Sequence, residues 1–317
     1  MRIIGFFLLL LLAPALARAV EPVATVPLSI DYGGWYTVPV KVNGEGPYDF
    51  IIDTGATQTL VFSNLHVALA FPPTGGPPQT VLGLASIGKF PTYRIARLEV
   101  GPARLDEVVT VILNKWEVGG RSPYGVLGLD FLARYFIIFD RERLELRLYE
   151  SREQLEIAAK GWKATDFRRR PYNLAWGALY TVEGYANSRL MRFIVDLGAT
   201  GTIINRQALG RIARAGEAGV AFNPRASQTG TRIVDALDET NRARPARIKR
   251  FRVGRTSWYD KIFFAYDAPI FEELGVQGEA YGLLGADLFH DRSFAMDFKG
   301  EQLFIGPRLR SASGSNP

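Results

Sequence analysis

The segment Phe50-Ile51-Ile52-Asp53-Thr54-Gly55-Ala56-Thr57 drives three apolar residues into a carboxylate and then into a glycine, and the same order returns at Phe193-Ile194-Val195-Asp196-Leu197-Gly198-Ala199-Thr200. A strand of aromatic and β-branched residues that ends on aspartate sets the acid in the core, where it needs hydrogen bonds or an opposing group. Glycine two residues later permits a tight turn that aims backbone groups at the acid, and Thr57 and Thr200 carry hydroxyls within local reach. One change separates the copies next to the acid: Leu197 stands where the first copy has Thr54.

Other landmarks return in the same order. Tyr36-Thr37-Val38 is matched by Tyr180-Thr181-Val182, Arg94-Ile95-Ala96-Arg97-Leu98-Glu99-Val100-Gly101 by Arg247-Ile248-Lys249-Arg250-Phe251-Arg252-Val253-Gly254, and Tyr124-Gly125-Val126-Leu127-Gly128 by Tyr281-Gly282-Leu283-Leu284-Gly285. Two long copies with loops that lengthen between fixed landmarks describe a duplicated domain, not a solenoid. Residues 26–30, 36–42, 48–52, 59–62, 108–113, 136–140 and 144–148 read as strands, with Gly33-Gly34 and Asn43-Gly44 as turns and a hairpin over 80–87. A short helix is predicted over 129–135, and the proline-rich stretch 71–78 is predicted to be an irregular loop. The predicted fold class is all-β. The copies occupy residues 20–150 and 172–310, joined by a linker at 151–171, with helical spacing over 150–160; 311–317 reads as a disordered tail.

A chain of 317 residues, 47% of them hydrophobic, can bury the core of one large domain or two smaller ones. Residues 1–19 stand apart: Arg2, a nearly continuous run of Leu, Ile and Phe, then Ala17-Arg18-Ala19 with small residues where a signal peptidase reads. This is the pattern of a cleaved signal peptide with Val20 as the mature N-terminus. The other reading, an uncleaved anchor, needs ~20 apolar residues where the run has about ten. No later segment is apolar enough to cross a bilayer, so the expectation is an exported protein, periplasmic or secreted, with no stable membrane insertion after signal cleavage.

The absence of cysteine excludes disulfides, thiol nucleophiles and thiolate metal sites. The formal charge of +6 is mild, but Arg242, Arg244, Arg247, Lys249, Arg250, Arg252 and Arg255 crowd one stretch and Arg168-Arg169-Arg170 another. A phosphate- or lipid-binding patch and a solvated strand face both account for the first stretch; Ile248, Phe251 and Val253 interleave with its charges as a strand face requires. Export argues against a nucleic-acid partner. His66 and His290, the only histidines, lie far apart in sequence and read as surface or structural residues, not a metal pair or a triad base. No phosphate-binding glycine loop is present, and no cofactor or metal is expected.

If the two copies pack about a pseudo-twofold axis, Asp53 and Asp196 meet on it. Two carboxylates that close do not both ionise readily; they share a proton and titrate as a pair. One can then activate a water as general base while the other protonates or polarises a carbonyl, which suits amide hydrolysis without a covalent intermediate.

The pattern resembles the aspartic peptidases of the pepsin and retropepsin clan, in the form of an exported bacterial protein with two tandem retropepsin-like lobes. The resemblance rests on Ile51 to Thr57 and on Val126-Leu127-Gly128, both recurring in the second copy, and spans residues 36–149 and 180–305. Ala56 and Ala199 are similar to the retropepsin form. The resemblance implies a bilobal pepsin-like fold of two pseudo-twofold-related β-barrel-like lobes with short helices, and an Asp53/Asp196 catalytic dyad. It also implies loop support from Thr54, Gly55 and Thr57 and from Leu197, Gly198 and Thr200, with psi-shaped crossings at Gly128 and Gly285. A polypeptide substrate would lie extended between the lobes of a monomer.

In that clan the threonine after each aspartate bonds across the axis to the partner loop. Thr54 has the hydroxyl and Leu197 does not, so half of this clamp is expected to be missing, with Leu197 packed apolarly against Thr54 or the loop beneath. Residues 79–90, with Tyr93 the nearest tyrosine, and residues 234–240 are the candidates for flaps. Two functions stay open: an aspartic endopeptidase, and a non-catalytic peptide- or partner-binding pseudopeptidase of the cell envelope, motivated by Leu197.

Overall fold

Alternating apolar residues form strands throughout the computed structural model, which describes residues 21–83, 87–115, 122–171, 177–213, 231–234 and 240–309. The first half forms β1 (Ala24–Pro27), β2 (Ser29–Ile30), β3 (Tyr36–Val42), β4 (Glu45–Ile52), β5 (Leu60–Phe62), β6 (Gln79–Leu82), β7 (Ile87–Phe90) and β8 (Thr92–Val100). It continues with β9 (Ala103–Leu113), β10 (Gly125–Leu127), β11 (Phe136–Asp140) and β12 (Glu145–Tyr149). The second half forms β13 (Lys163–Asp166), β14 (Arg168–Pro171), β15 (Ala178–Ala186), β16 (Arg189–Val195), β17 (Ile203–Ile204) and β18 (Thr231–Val234). The last strands are β19 (Thr240–Val253), β20 (Thr256–Ala265), β21 (Tyr281–Leu284), β22 (Arg292–Asp297) and β23 (Gln302–Arg308). Among the described residues the α-helices are short: α1 (Ser63–Leu69), α2 (Leu129–Leu132), α3 (Arg152–Ala158), α4 (Arg206–Ala213) and α5 (Pro269–Glu273), with a 3-10 turn at Ala286–Leu288.

The repeat in sequence becomes a repeat in strand order. One sheet runs β2-β3-β4-β10-β5-β9-β8 and closes on itself through β3–β8; the other runs β14-β15-β16-β21-β17-β20-β19-β18 and closes through β15–β19. Strand for strand they correspond, β18 being the addition. In each, a short glycine-bearing strand lies parallel to the strand that ends on the acid and antiparallel to the strand that leaves it: β10 between β4 and β5, β21 between β16 and β17. Closure leaves few free edges and encloses the core. Val38, Val40, Phe50 and Ile52 are buried in the first barrel, and Phe193, Phe251 and Phe263 in the second, where Phe251 meets the other two edge-to-face at 5.1 Å.

A third sheet draws strands from both halves in the order β1-β12-β11-β22-β23-β13. At its centre β11 and β22 pair antiparallel with Phe136 opposite Asp297, Ile138 opposite Ala295 and Phe139 opposite Phe294. Asp140 and Asp297 close matching strands of the two copies, so Ile138 and Ala295 occupy the same position of the repeat, and their pairing marks a local twofold relation. Phe139 and Phe294 stack there with centroids 4.2 Å apart.

Several boundaries differ from expectation. The helix expected over 129–135 ends at Leu132, because the chain must turn to enter β11 at Phe136. The strand expected over 144–148 begins one residue later, since Leu144 has φ 57° and belongs to the turn. Residues 151–171, expected to be a linker, carry α3, closed by a Ser151/Gln154 capping box, then β13 on the shared sheet and β14 on the second barrel. The signal segment over 1–19 and the tail at 311–317 lie outside the described residues. Among those described, no helix is long and apolar enough to cross a membrane.

Candidate active site

Each acid sits where a buried strand gives way to a turn. β4 buries Phe50, Ile51 and Ile52 before Asp53, and β16 buries Phe193, Ile194 and Val195 before Asp196. The backbone of both acids is fixed by the neighbouring short strand, Asp53 N–H donating to the Leu127 carbonyl at 3.1 Å and Asp196 N–H to the Leu284 carbonyl at 3.0 Å. The turn then folds its own amides onto the carboxylate: Asp53 Oδ1 accepts from Gly55 N at 2.7 Å and Ala56 N at 3.0 Å, and Asp196 Oδ1 accepts from Ala199 N at 3.1 Å.

The two turns face each other. A Cβ added to Gly55 would fall 2.7 Å from Asp196 Cγ, and one added to Gly198 would overlap the Asp53 carboxyl. Each acid therefore rests against the glycine of the opposite turn, a position closed to any residue with a side chain. The crossings beneath are as tight: a Cβ on Gly285 would lie 2.7 to 2.8 Å from backbone atoms of Gly201 and Ala199, and one on Gly128 would meet the backbone of Gln58 and Thr59. Leu129 N–H donates to the Ala56 carbonyl at 2.9 Å and Ala286 N–H to the Ala199 carbonyl at 2.8 Å, hanging each turn from the crossing below it.

Four supporting residues escaped the sequence reading. Thr59 Oγ1 accepts from Gly128 N at 3.2 Å and donates to Asp130 Oδ1 at 2.7 Å; Thr202 Oγ1 accepts from Gly285 N at 3.2 Å and donates to Asp287 Oδ1 at 2.8 Å. The signal was in the repeat itself: a threonine six residues after each acid and an aspartate two residues after each crossing glycine. Burial raises the Asp130 carboxyl, against the hydrogen bonds from Thr59, and pushes Asp287 up to about 6, against those from Thr202 and the charge of Lys261.

The clamp is one-sided. Thr54 Oγ1 donates to the Val195 carbonyl at 2.7 Å and accepts from Leu197 N at 3.1 Å, both across the interface between the turns. By the local symmetry a hydroxyl at 197 would bond the Ile52 carbonyl and the Thr54 amide; leucine offers neither, and its side chain is fully buried. Thr57 and Thr200, expected to bond locally, instead place their side chains near Gly177 and Gly34, where added Cβ atoms would lie 3.7 Å away.

The acids differ electrostatically. Burial pushes the Asp53 carboxyl up, opposed in turn by the Gly55 amide, by a hydrogen bond from the Asp196 carboxyl, and by the Ala56 and Gly198 amides. Asp196 is raised well above the ordinary carboxylate range by burial first, then by the charge of Asp53 and by the hydrogen bond between the two carboxyls. The pair thus shares one proton and titrates as a unit, its upper step raised above the ordinary carboxylate range by burial and by the neighbouring charge.

Beside the first turn, β6 and β7 form a separate hairpin, with Gln79 opposite Phe90. Gln79 Nε2 donates to Gln58 Oε1, while Val81 and Phe90 pack on a cluster that includes Trp35, Ile51 and Leu60 and against which Ala56 also packs. The first flap candidate is therefore a hairpin tied to the first acidic turn. Most of the second, 235–239, lies outside the described residues. His66 packs against Phe71 and Tyr93, His290 bonds the Gly34 carbonyl, and no metal-binding cluster occurs among the described residues. In the basic stretch Ile248, Phe251 and Val253 point into the barrel while Arg247, Lys249 and Arg250 are exposed, the arrangement of a solvated strand face.

No curated protein matches the chain. Residues 38–131, which contain the first acidic turn, its crossing at Gly128 and the Thr59–Asp130 pair, match the family model described as Aspartyl protease, and this match supports an aspartic protease of retropepsin type.

Proposed function

We propose that the protein is an aspartic endopeptidase whose dyad is Asp53 and Asp196, with the two barrels acting as the lobes of a bilobal pepsin-like enzyme. The observation that carries this reading is the packing of each carboxyl against the glycine of the opposite turn, which brings two acids into one proton-sharing site. Asp53 takes a proton from a bound water as its oxygen attacks the scissile carbonyl carbon, and Asp196 gives its proton to the carbonyl oxygen, forming a neutral gem-diol. On collapse, the C–N bond breaks, the amine leaves with the proton held by Asp53, and Asp196 recovers a proton from a gem-diol hydroxyl. Water and peptide become acid and amine, and the dyad returns to its starting state. The substrate is an extended polypeptide lying between the lobes, beneath the β6–β7 hairpin. The leader favours a bacterial protein exported to the periplasm or beyond, acting as a monomer.

The fully buried Leu197 favours a second reading, a pseudopeptidase of the envelope that binds peptide without cutting it. Incubating the mature protein with a mixed peptide library across acidic to neutral pH, with cleavage read by mass spectrometry, separates the two. Cleavage that disappears in both Asp53→Asn and Asp196→Asn, each still folded, is the expected result. Saturable binding with no cleavage at any pH favours the pseudopeptidase, and cleavage surviving in either variant removes the dyad.

A further inference from the structure

The turn at 31–35 is built to present one side chain. Asp31 Oδ1 accepts from Gly33 N and Trp35 N, both at 2.9 Å, and the backbones of Asp31 and Trp35 bond again, Asp31 N–H to the Trp35 carbonyl at 3.0 Å. Gly34, at φ 91°, packs between Thr200 and His290, whose Nε2 donates to the Gly34 carbonyl at 2.9 Å. A Cβ on Gly33 would overlap the Trp35 ring, which is 9% exposed. The ring crosses to the other half of the molecule, where Nε1 donates to the Gly198 carbonyl at 2.5 Å.

Gly198 is the residue whose backbone rests against the Asp53 carboxyl. Fixing its carbonyl fixes the face that the second turn offers to the first acid. Leu179 holds the Trp35 position in the second copy, beside Tyr180 as Trp35 is beside Tyr36, and leucine has no donor. The indole bond is therefore as one-sided as the clamp, and both cross between the first half and the second acidic turn. We infer that Trp35 is a positioning residue for the Asp196 turn, tying the two halves together where a hydroxyl at position 197 is missing.

The test is a comparison of the wild type, Trp35→Phe, and Trp35→Phe combined with Leu197→Thr, all 13C-labelled at the aspartate carboxyls and titrated by NMR, with signals assigned through the Asp→Asn variants. Phenylalanine keeps most of the ring packing and removes the donor. The expected result in Trp35→Phe is a fall of the higher apparent pKa of the pair toward ordinary carboxylate values, as the turns separate and water enters, and its recovery when threonine at 197 supplies the missing bonds. A wild-type titration in Trp35→Phe overturns the inference; so does a fall that Leu197→Thr leaves unchanged, which assigns the effect to packing. Under the peptidase reading a kinetic arm is added: kcat falls about tenfold, the worth of one hydrogen bond, with KM within about twofold. The titration needs no turnover. A chain that cuts no peptide yet shows the shift and its rescue refutes the peptidase reading and upholds the role of Trp35.

Discussion

The Leu197 amide donates to the Thr54 hydroxyl at 3.1 Å, and that same hydroxyl donates to the Val195 carbonyl at 2.7 Å, so one side chain satisfies two buried backbone groups of the opposite turn. Thr54→Val keeps the shape and removes both bonds. Its expected cost is about 1–3 kcal/mol of unfolding free energy, the penalty for buried groups left unpaired, together with at least about a tenfold loss of kcat. Leu197→Val, which removes no hydrogen bond, should cost only about 1 kcal/mol and leave the Thr54 bonds in place. Urea unfolding and steady-state kinetics of the two variants read the difference.

Under the peptidase reading, the shared proton sets the pH dependence of cleavage. Activity should fall at low pH, when both acids are protonated, and at high pH, when the shared proton is lost. Burial and the charge of Asp53 raise Asp196, so the alkaline limb of kcat/KM should lie well above the ordinary aspartate value of about 4. An alkaline limb near that value would contradict the pairing.

Asp287 gives a separate dependence of stability on pH. Its folded pKa, about 6, exceeds the ordinary 3.8, so the folded state binds the proton more tightly than the unfolded chain. Its contribution is complete below the unfolded value and is lost as pH rises from about 4 through about 6, by roughly 1–3 kcal/mol. Asp287→Asn retains an acceptor for Thr202 and does not titrate. Chemical denaturation at pH 4 and pH 7 should therefore show a smaller loss of stability in the variant than in the wild type.

Glycines of the crossings and glycines of open loops should respond differently to the same added methyl group. At Gly285 the new Cβ would press on the backbone of Gly201 and Ala199, whereas at Gly278 it meets nothing within 4 Å. Gly285→Ala is expected to lose about 1–3 kcal/mol or more through overpacking and to impair cleavage, because Ala199 belongs to the Asp196 turn. Gly278→Ala should unfold and cleave as the wild type does.

The acidic turns and their crossings were legible because they repeat. Residues 36–42 alternate strongly enough that the predicted strand and β3 coincide. The strands β13 and β14 were not legible: Arg168 to Pro171 are all exposed, so no apolar pattern marks β14, and only its pairing with β15 makes it a strand. Helix α1, seven residues long with Leu65 as its one buried residue, is too short to show a helical stripe. The Thr59–Asp130 and Thr202–Asp287 pairs lie far apart in sequence, and their meeting depends on the crossings at Gly128 and Gly285. Trp35 lies outside every repeated motif, and its role depends on a carbonyl in the other half of the chain.

The pairing of Ile138 with Ala295 has a consequence for the first half considered alone. Without β22, the strand Phe136–Asp140 is an open edge already in register for an identical strand, so two such halves could join with Ile138 opposite Ile138. That assembly would carry a threonine after both acids and thus both clamp hydroxyls. Within one chain the two turns need not be alike: Leu197 stands opposite Thr54, and Leu179 holds the place that Trp35 holds in the first half.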